Sequence, residues 1–211
     1  AVKALKARIL LFDAYDSNGK AISSKMEEVL TLLQSIKGYS LAARVRDNFI
    51  SEKQLASPEI MFSVRFLRPN LTHSMDLYYG AWAVLDPTRN MVDAFECTDG
   101  KPWGESPLTV RPDESILYGN DDALKKAERA KMFMNRDRRL YESVNHSMMA
   151  NFVDDGFKDE EVQVNESNNK GPTGFSALKY VQPTDVTPGY STVSDADIVV
   201  LRYAHVLLMI D

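Results

Sequence analysis

Residues Tyr78 to Gly104 read YYGAWAVLDPTRNMVDAFECTDGKPWG, and this stretch decides how the chain is read. It holds both tryptophans of the protein, Trp82 and Trp103, and the Tyr78/Tyr79 pair. Between the rings lie the turn formers Asp86-Pro87, Asp99-Gly100 and Lys101-Pro102, with no long helical period. The pattern predicts rings on turns and short strands joined by irregular connections. Loop-borne rings of that kind are often exposed, and exposed rings commonly touch a ligand.

Outward from that stretch, composition narrows the class. A chain of 211 residues suffices for one ordinary domain or two small ones with a sizeable core. Its net charge is -5, and its lysines and arginines are scattered. Even the densest basic run, Lys125 to Arg139, is interrupted by Glu128 and Asp137. That distribution argues against a nucleic-acid surface, which needs clustered cations. The one cysteine, Cys97, excludes an internal disulfide and any cysteine-rich metal site. Its acidic neighbours Glu96 and Asp99 disfavour a thiolate nucleophile, so it reads as a buried, inert side chain. No apolar run reaches the ~20 residues of a membrane helix, and no signal peptide is present.

Two amphipathic helices open the chain. Val2, Leu5, Ile9 and Phe12 form one stripe, ended by Asp16-Ser17-Asn18-Gly19. Ile22, Met26, Val29, Leu33 and Ile36 form the other, with Gly38 as its stop. Ala1, Ala4 and Ala7 permit close helix contact, as in tetratricopeptide-type helix pairs. One pair cannot bury both its faces, so its partners lie elsewhere. Ala1 falls inside a helical pattern without a cap, and the apolar Val206 to Ile210 stop without one. The sequence therefore reads as a piece of a longer protein.

After Ser57-Pro58 the period changes. Ile60, Phe62, Val64 and Phe66 alternate with Met61, Ser63, Arg65 and Leu67, predicting a half-buried strand that ends at Pro69. Asp121-Asp122 caps a helix to about Met134, acidic at its start and basic at its end. Arg139 to Asn145 reads as a strand and Asp154 to Pro172 as a mobile loop. Gly174 to Gln182 is strand-like, and Ala196 onward leads into a final apolar helix.

The chemistry-bearing residues do not assemble into an active site on paper. His73, His146 and His205 are far apart and lack metal-ligand spacing, and no G-x-S-x-G elbow or phosphate loop exists. Asp86, Asp93, Glu96, Asp99 and Glu105 could supply a glycosidase pair, but solvated turn carboxylates are the simpler reading. No catalytic residue, cofactor or metal is expected. Asn135-Arg136-Asp137-Arg138-Arg139 sits at an element junction, where its arginines can fork to helix-end carbonyls and carboxylates. Tyr78, Tyr79, Trp82 and Trp103 are either core rings or a platform on which the C–H face of a sugar stacks.

Five strings now align in order over about three quarters of the chain. They are SPEIMFSVRF (Ser57 to Phe66), MVDAFECTDGKPW (Met91 to Trp103), NRDRRLYESV (Asn135 to Val144), TGFSALKYVQP (Thr173 to Pro183) and DIVVLRYAHVLLM (Asp197 to Met209). Together they resemble the SusD/RagB family of surface lipoproteins of Bacteroidetes. That family's forms are a P-E-hydrophobic strand, a D-G-K-P turn, N-R-D-P-R-L, a K-Y strand and R-Y-A-E-V-L-L opening a helix. Arg138 stands where proline is usual, and His205 where glutamate is usual.

The resemblance implies a mainly α fold: a tetratricopeptide-like helical hairpin packed on an irregular α+β subdomain with short strands and long loops. Residues 1–40 would close the helical region and residues 41–211 would form the C-terminal subdomain. It implies a non-catalytic protein that captures oligosaccharides for a SusC-like TonB-dependent outer-membrane transporter. Contact with the membrane would run only through an N-terminal lipid anchor outside this sequence, and no nucleic acid would be bound. The expected glycan contacts are Tyr78, Tyr79, Trp82 and Trp103. The expected structural residues are Asn135, Arg136, Asp137, Arg139, Arg202 and Tyr203. The competing reading is a helical interaction module that binds no sugar.

Overall fold

The computed structural model describes residues 1–80, 85–117, 122–144, 175, 177–182 and 193–211. Helix α1 (Val2–Asp13) and helix α2 (Ser23–Gln34) form the expected hairpin. Its turn is built by local chemistry. Asp16 Oδ1 accepts from the amides of Asn18 and Lys20 at 2.8 and 2.9 Å, and Gly19 takes φ 74°, a conformation that favours glycine. Lys25 closes the pair on Asp13 at 2.6 Å.

The two helices meet through small residues. Ala4 and Ala7 are fully buried against Val29, Leu33 and Ile36 of the second stripe. The first stripe does the opposite: Val2, Leu5, Ile9 and Phe12 all face solvent, Val2 at 83% and Phe12 at 81% relative exposure. Helix α2 ends at Gln34, where Ser35 Oγ donates to the Leu32 carbonyl, so Gly38 turns the chain beyond the helix.

A 3-10 turn (Val45–Phe49) and helix α3 (Ser51–Gln54) lead to strand β1 (Ile60–Val64). It pairs antiparallel with strand β2 (Ile198–Arg202), which feeds helix α9 (Tyr203–Ile210). Strand β2 was not foreseen, because its run of Ile198, Val199, Val200 and Leu201 continues without a break into an apolar helix. The face assignment of β1 also needs correction. The register slips by one residue on each strand, and Phe62 and Val64 point outward while Met61 packs inward. A bulge shifts the pleat, so alternation in sequence no longer names the inner face.

Between the two strands lie α4 (Met75–Gly80), α5 (Arg89–Ala94), α6 (Glu114–Leu117), α7 (Asp122–Lys131) and α8 (Arg138–Tyr141). Thus Tyr78 and Tyr79 ride on a short helix, in contrast to the turns or strands expected for them. Helix α7 stops short of Met134, and Met132 and Phe133 turn into the core. The strand expected from Arg139 is a helical turn. Asp137 caps it by accepting from the Arg139 amide, and Arg138 pairs with Glu142 one turn on. Asn145 lies outside the described residues. Among the described residues of the strand expected over Gly174 to Gln182, Ala177 bridges to Val144, and Tyr180 adopts φ 64°, which breaks an extended run. The loop Asp154 to Pro172 and His146 lie outside the described residues.

Among the described residues three packed centres result. One joins α1, α2, β2 and α9. A second gathers Val92, Cys97, Trp103, Phe133, Leu140 and Tyr141. The smallest sets Phe49, Tyr180 and Ala196 together. Buried amides tie distant segments across them. Gln54 exchanges hydrogen bonds with Asp197, and Gln182 accepts from the Ser51 amide while donating to the Phe49 carbonyl. Among the described residues no helix is long and apolar enough to cross a membrane.

Candidate functional site

The expected aromatic residues separate into different environments. In the loop before α4, His73 Nδ1 accepts from the Met75 amide at 3.2 Å. Buried Asp76 accepts from the Gln182 amide at 3.0 Å, which fixes the first turn against the interior. Consecutive positions on a helix point in different directions. Tyr79 therefore turns inward and stacks on Tyr180, with centroids 6.4 Å apart and planes 18° from parallel. Burial pushes the Tyr79 hydroxyl pKa up. Tyr78, at 40% exposure, presents its ring outward. Trp82 lies outside the described residues.

Trp103 corrects the exposure argument. It follows the Asp99-Gly100 turn, where Gly100 takes φ 75° and Cys97 and Lys101 close the loop through a 2.9 Å backbone hydrogen bond. Yet its indole is only 4% exposed. Arg89, Arg111 and Arg136 place their guanidinium carbons 5.6, 5.5 and 5.2 Å from the ring centroid. Thr109 Oγ1 donates to the Trp103 carbonyl, and the indole nitrogen is enclosed with no acceptor. A ring enclosed by three cations and its own core has no free face for a sugar. The turn that carries it is a scaffold.

The Asn135 to Arg139 segment explains how that scaffold is held. Asn135 sits at φ 57°, donates to the Leu108 carbonyl and accepts from the Thr98 amide. That conformation turns the next residue inward, and Arg136 is buried. Its Nη2 donates to the Val92 and Phe95 carbonyls at 2.6 and 2.8 Å, and its Nη1 donates to the Met132 carbonyl at 2.5 Å. One guanidinium thereby satisfies carbonyls at the ends of α5 and α7, which those helices cannot satisfy themselves. Burial lowers its pKa. Asp137 and Arg139 pair side by side at 2.8 Å, and Arg139 holds the Asp137 carboxyl below its ordinary value.

At the β2–α9 junction, Arg202 donates to Glu59 at 2.6 Å, and the Tyr203 amide donates to the Glu59 carbonyl. The other Glu59 oxygen accepts from Asn48 and from the Ala42 amide at 2.9 and 3.0 Å. Tyr203 stacks on Tyr39 at 6.2 Å. Glu59 was missed as a structural residue, although the Pro58-Glu59 pair stood within a quoted string. Its partners Ala42, Asn48 and Arg202 are too far along the chain for spacing to reveal. Cys97 is buried, as its surroundings suggested, 3.9 Å from Thr109 Oγ1. Asp86 has both carboxyl oxygens enclosed with no partner among the described residues, and burial pushes its pKa up. Among the described residues no group of histidine, cysteine or carboxylate side chains is placed to hold a metal.

The sequence pattern of the SusD family matches residues 55–210, a span that includes the Glu59–Arg202 pair and the Arg136 bracket. The chain belongs to the SusD family. Its fold is shared by solved structures of low identity. A SusD-like carbohydrate-binding protein of Bacteroides fragilis aligns with TM-score 0.61 at 19% identity, over 99% of this chain and 38% of its own. A SusD superfamily protein of Parabacteroides distasonis gives 0.51 at 16%, over 99% and 38%. A SusD-like protein of Bacteroides fragilis gives 0.50 at 21%, over 99% and 41%. This SusD-family chain thus spans about two fifths of the solved structures it matches. No curated protein matches it. The identities are low enough that the shared property is the fold, mainly helical with one small antiparallel sheet.

Proposed function

We propose that this SusD-family protein is a non-catalytic glycan-binding protein. In this reading it captures oligosaccharides at the outer face of the outer membrane, held by an N-terminal lipid, and passes them to a SusC-like TonB-dependent transporter. The observation that carries the reading is the family match over residues 55–210, joined by the fold shared with a Bacteroides fragilis protein described as carbohydrate-binding. Among the four expected rings, Tyr78 is the described one that reaches the surface, at 40% exposure, and Trp82 stands four positions further along the chain. Stacking of a pyranose C–H face on such a ring is sequence-tolerant and needs only an exposed aromatic plane with nearby polar groups. Calorimetric titration of the intact protein with a panel of neutral oligosaccharides tests this. Saturable binding weakened about fivefold or more by Tyr78→Ala or Trp82→Ala supports it, taking about 1 kcal/mol for a lost aromatic contact. Binding that ignores both substitutions would leave the family standing and remove these rings from the site.

A second reading draws on the solvent-facing stripe of α1. In it, residues 1–40 are the end of a tetratricopeptide-like helical region, and Val2, Leu5, Ile9 and Phe12 are covered by further helices of the same polypeptide. A helix face with this much exposed apolar surface needs a partner. If the protein co-purifies with its transporter while no sugar in the panel binds, the protein is an interaction module instead.

A further inference from the structure

His73 is tied to two segments at once, and both ties depend on where its ring carries a proton. Its backbone exchanges hydrogen bonds with Ser194 at 2.9 and 2.8 Å, which seats it beside the segment leading into β2. Its Nε2 lies 2.6 Å from the Ala196 carbonyl oxygen, and a carbonyl only accepts, so Nε2 carries a proton. Its Nδ1 accepts from the Met75 amide at 3.2 Å, so that nitrogen carries none. The two bonds select one neutral tautomer. The Phe66 ring meets the imidazole edge-on, with centroids 4.7 Å apart and planes at 88°.

The Met75 amide is the first donor of α4, a group the helix cannot satisfy from within. The same turn holds the bond from the Tyr78 amide to the Ser74 carbonyl at 3.1 Å, which places the Tyr78 ring. Asp76 and Tyr79 anchor the inner side of α4, through the Gln182 amide and the Tyr180 ring. Its start is anchored by His73.

The charged groups on the segments packed against His73 are already engaged. On the Phe66 segment, Arg65 pairs with Asp197 at 3.1 Å and Arg68 with Asp195 at 3.4 Å. Those two carboxylates flank Ala196, and Asp76 on α4 accepts from the Gln182 amide. Histidine is the side-chain type whose charge changes near neutral pH. A second proton can enter the His73 ring only at Nδ1, where it faces the Met75 N–H. The acceptor is then gone and two donors oppose each other. The Nε2–H bond to Ala196 survives and strengthens, because its donor is now charged. The proton keeps His73 on the β2 side and frees the start of α4.

We propose that His73 is a pH-sensitive positioning residue: neutral, it holds the first turn of α4 and with it Tyr78, and protonated, it lets that turn go. Resting on the glycan reading above, this gives the Tyr78 surface a release step in mild acid.

The test uses the intact protein between about pH 7.5 and about pH 5, the range across which histidine charges. One readout is amide hydrogen exchange of residues 75–78, corrected for the intrinsic rate. The other is calorimetric affinity for neutral hexasaccharides of glucose, xylose and mannose. Protection and affinity should both fall about fivefold or more on acidification, the size of a lost helix-start bond. His73→Asn keeps an acceptor for the Met75 amide at every pH and should flatten both profiles. His73→Leu removes it and should hold both readouts at their acid level throughout. Nitrogen chemical shifts of the His73 ring follow its protonation without any substitution, which keeps the test decisive if a variant fails to fold. Protection that stays constant while the ring takes up its proton overturns the proposal. So does a pH profile that persists in His73→Asn. If none of the sugars binds, the glycan reading fails by itself, and the exchange profile still decides the role of His73.

Discussion

Arg136 lies against Trp103, guanidinium carbon 5.2 Å from the indole centroid, with both side chains buried. The contact joins the two strings that carry the family pattern most visibly, the Asp99-Gly100-Lys101-Pro102 turn and the Asn135-Arg136-Asp137 junction. Arg136 also collects carbonyls from the ends of α5 and α7, so one planar cation closes two helices and covers one ring.

Arg136→Lys should therefore be severe despite keeping the charge. A single ammonium cannot fork to three carbonyls on two helices, and each buried acceptor left unsatisfied costs about 1–3 kcal/mol. Denaturant unfolding of the intact protein should show a loss of about 3 kcal/mol or more, with the midpoint moving and the slope unchanged.

Trp103 and Tyr78 should part company under mutation. Trp103→Ala should cost about 3–5 kcal/mol of stability, as for a large aromatic removed from a core. The glycan affinity of whatever fraction remains folded should be unaltered. Tyr78→Ala should change stability by less than about 0.5 kcal/mol, because it is a surface position. Its effect should fall on binding. A Trp103 variant that folds normally and loses sugar would contradict the buried placement.

Asp86 gives a pH signature. Its carboxyl is enclosed without a partner among the described residues, and burial raises its pKa above the ordinary 3.8. For an acid with a raised folded pKa, the folded state binds the proton more tightly than the unfolded one. Stability is then lost as pH rises from 3.8 through the folded value, and the penalty persists above it. Asp86→Asn should raise Tm at pH 7, and the gain should shrink to nothing as pH falls below 3.8. A gain that is constant across the titration would assign the effect to something other than this charge.

The α1 stripe yields a prediction about the intact protein. If Val2, Leu5, Ile9 and Phe12 are covered by other helices, Phe12→Ser should destabilise the whole protein by about 1.5–3 kcal/mol, the value of burying such a side chain. The same substitution in residues 1–211 alone should be close to neutral, since Phe12 is 81% exposed there. Equal effects in both would remove the proposed cover.

What was legible in the sequence were the features that depend on neighbours a few positions apart. The Asp16 to Gly19 turn and the α1–α2 hairpin follow from such local rules, whereas the helical turn capped by Asp137 was read as a strand. The family pattern was legible too, because five strings in order encode a whole scaffold. Which faces are covered was not legible. Val2, Leu5, Ile9 and Phe12 look like a core stripe, yet Ala4 and Ala7 make the contact because small side chains let the helices approach closely. Trp103 looks like a loop-borne ring, yet three arginines separated in sequence enclose it.

The sequence alone determined the class of fold, the family and the residue types available for binding. Tertiary structure decided which of them are free to act. Burial and pairing arise from contacts such as Arg46 donating to the Val181 carbonyl across 135 positions, or Arg202 reaching Glu59 across 143. Local pattern carries no information about such distant pairings, so a ring or a cation acquires its role only when the folded chain sets its surroundings. Tyr78 reaches the surface, whereas Trp103 and Arg136 are spent on holding the fold.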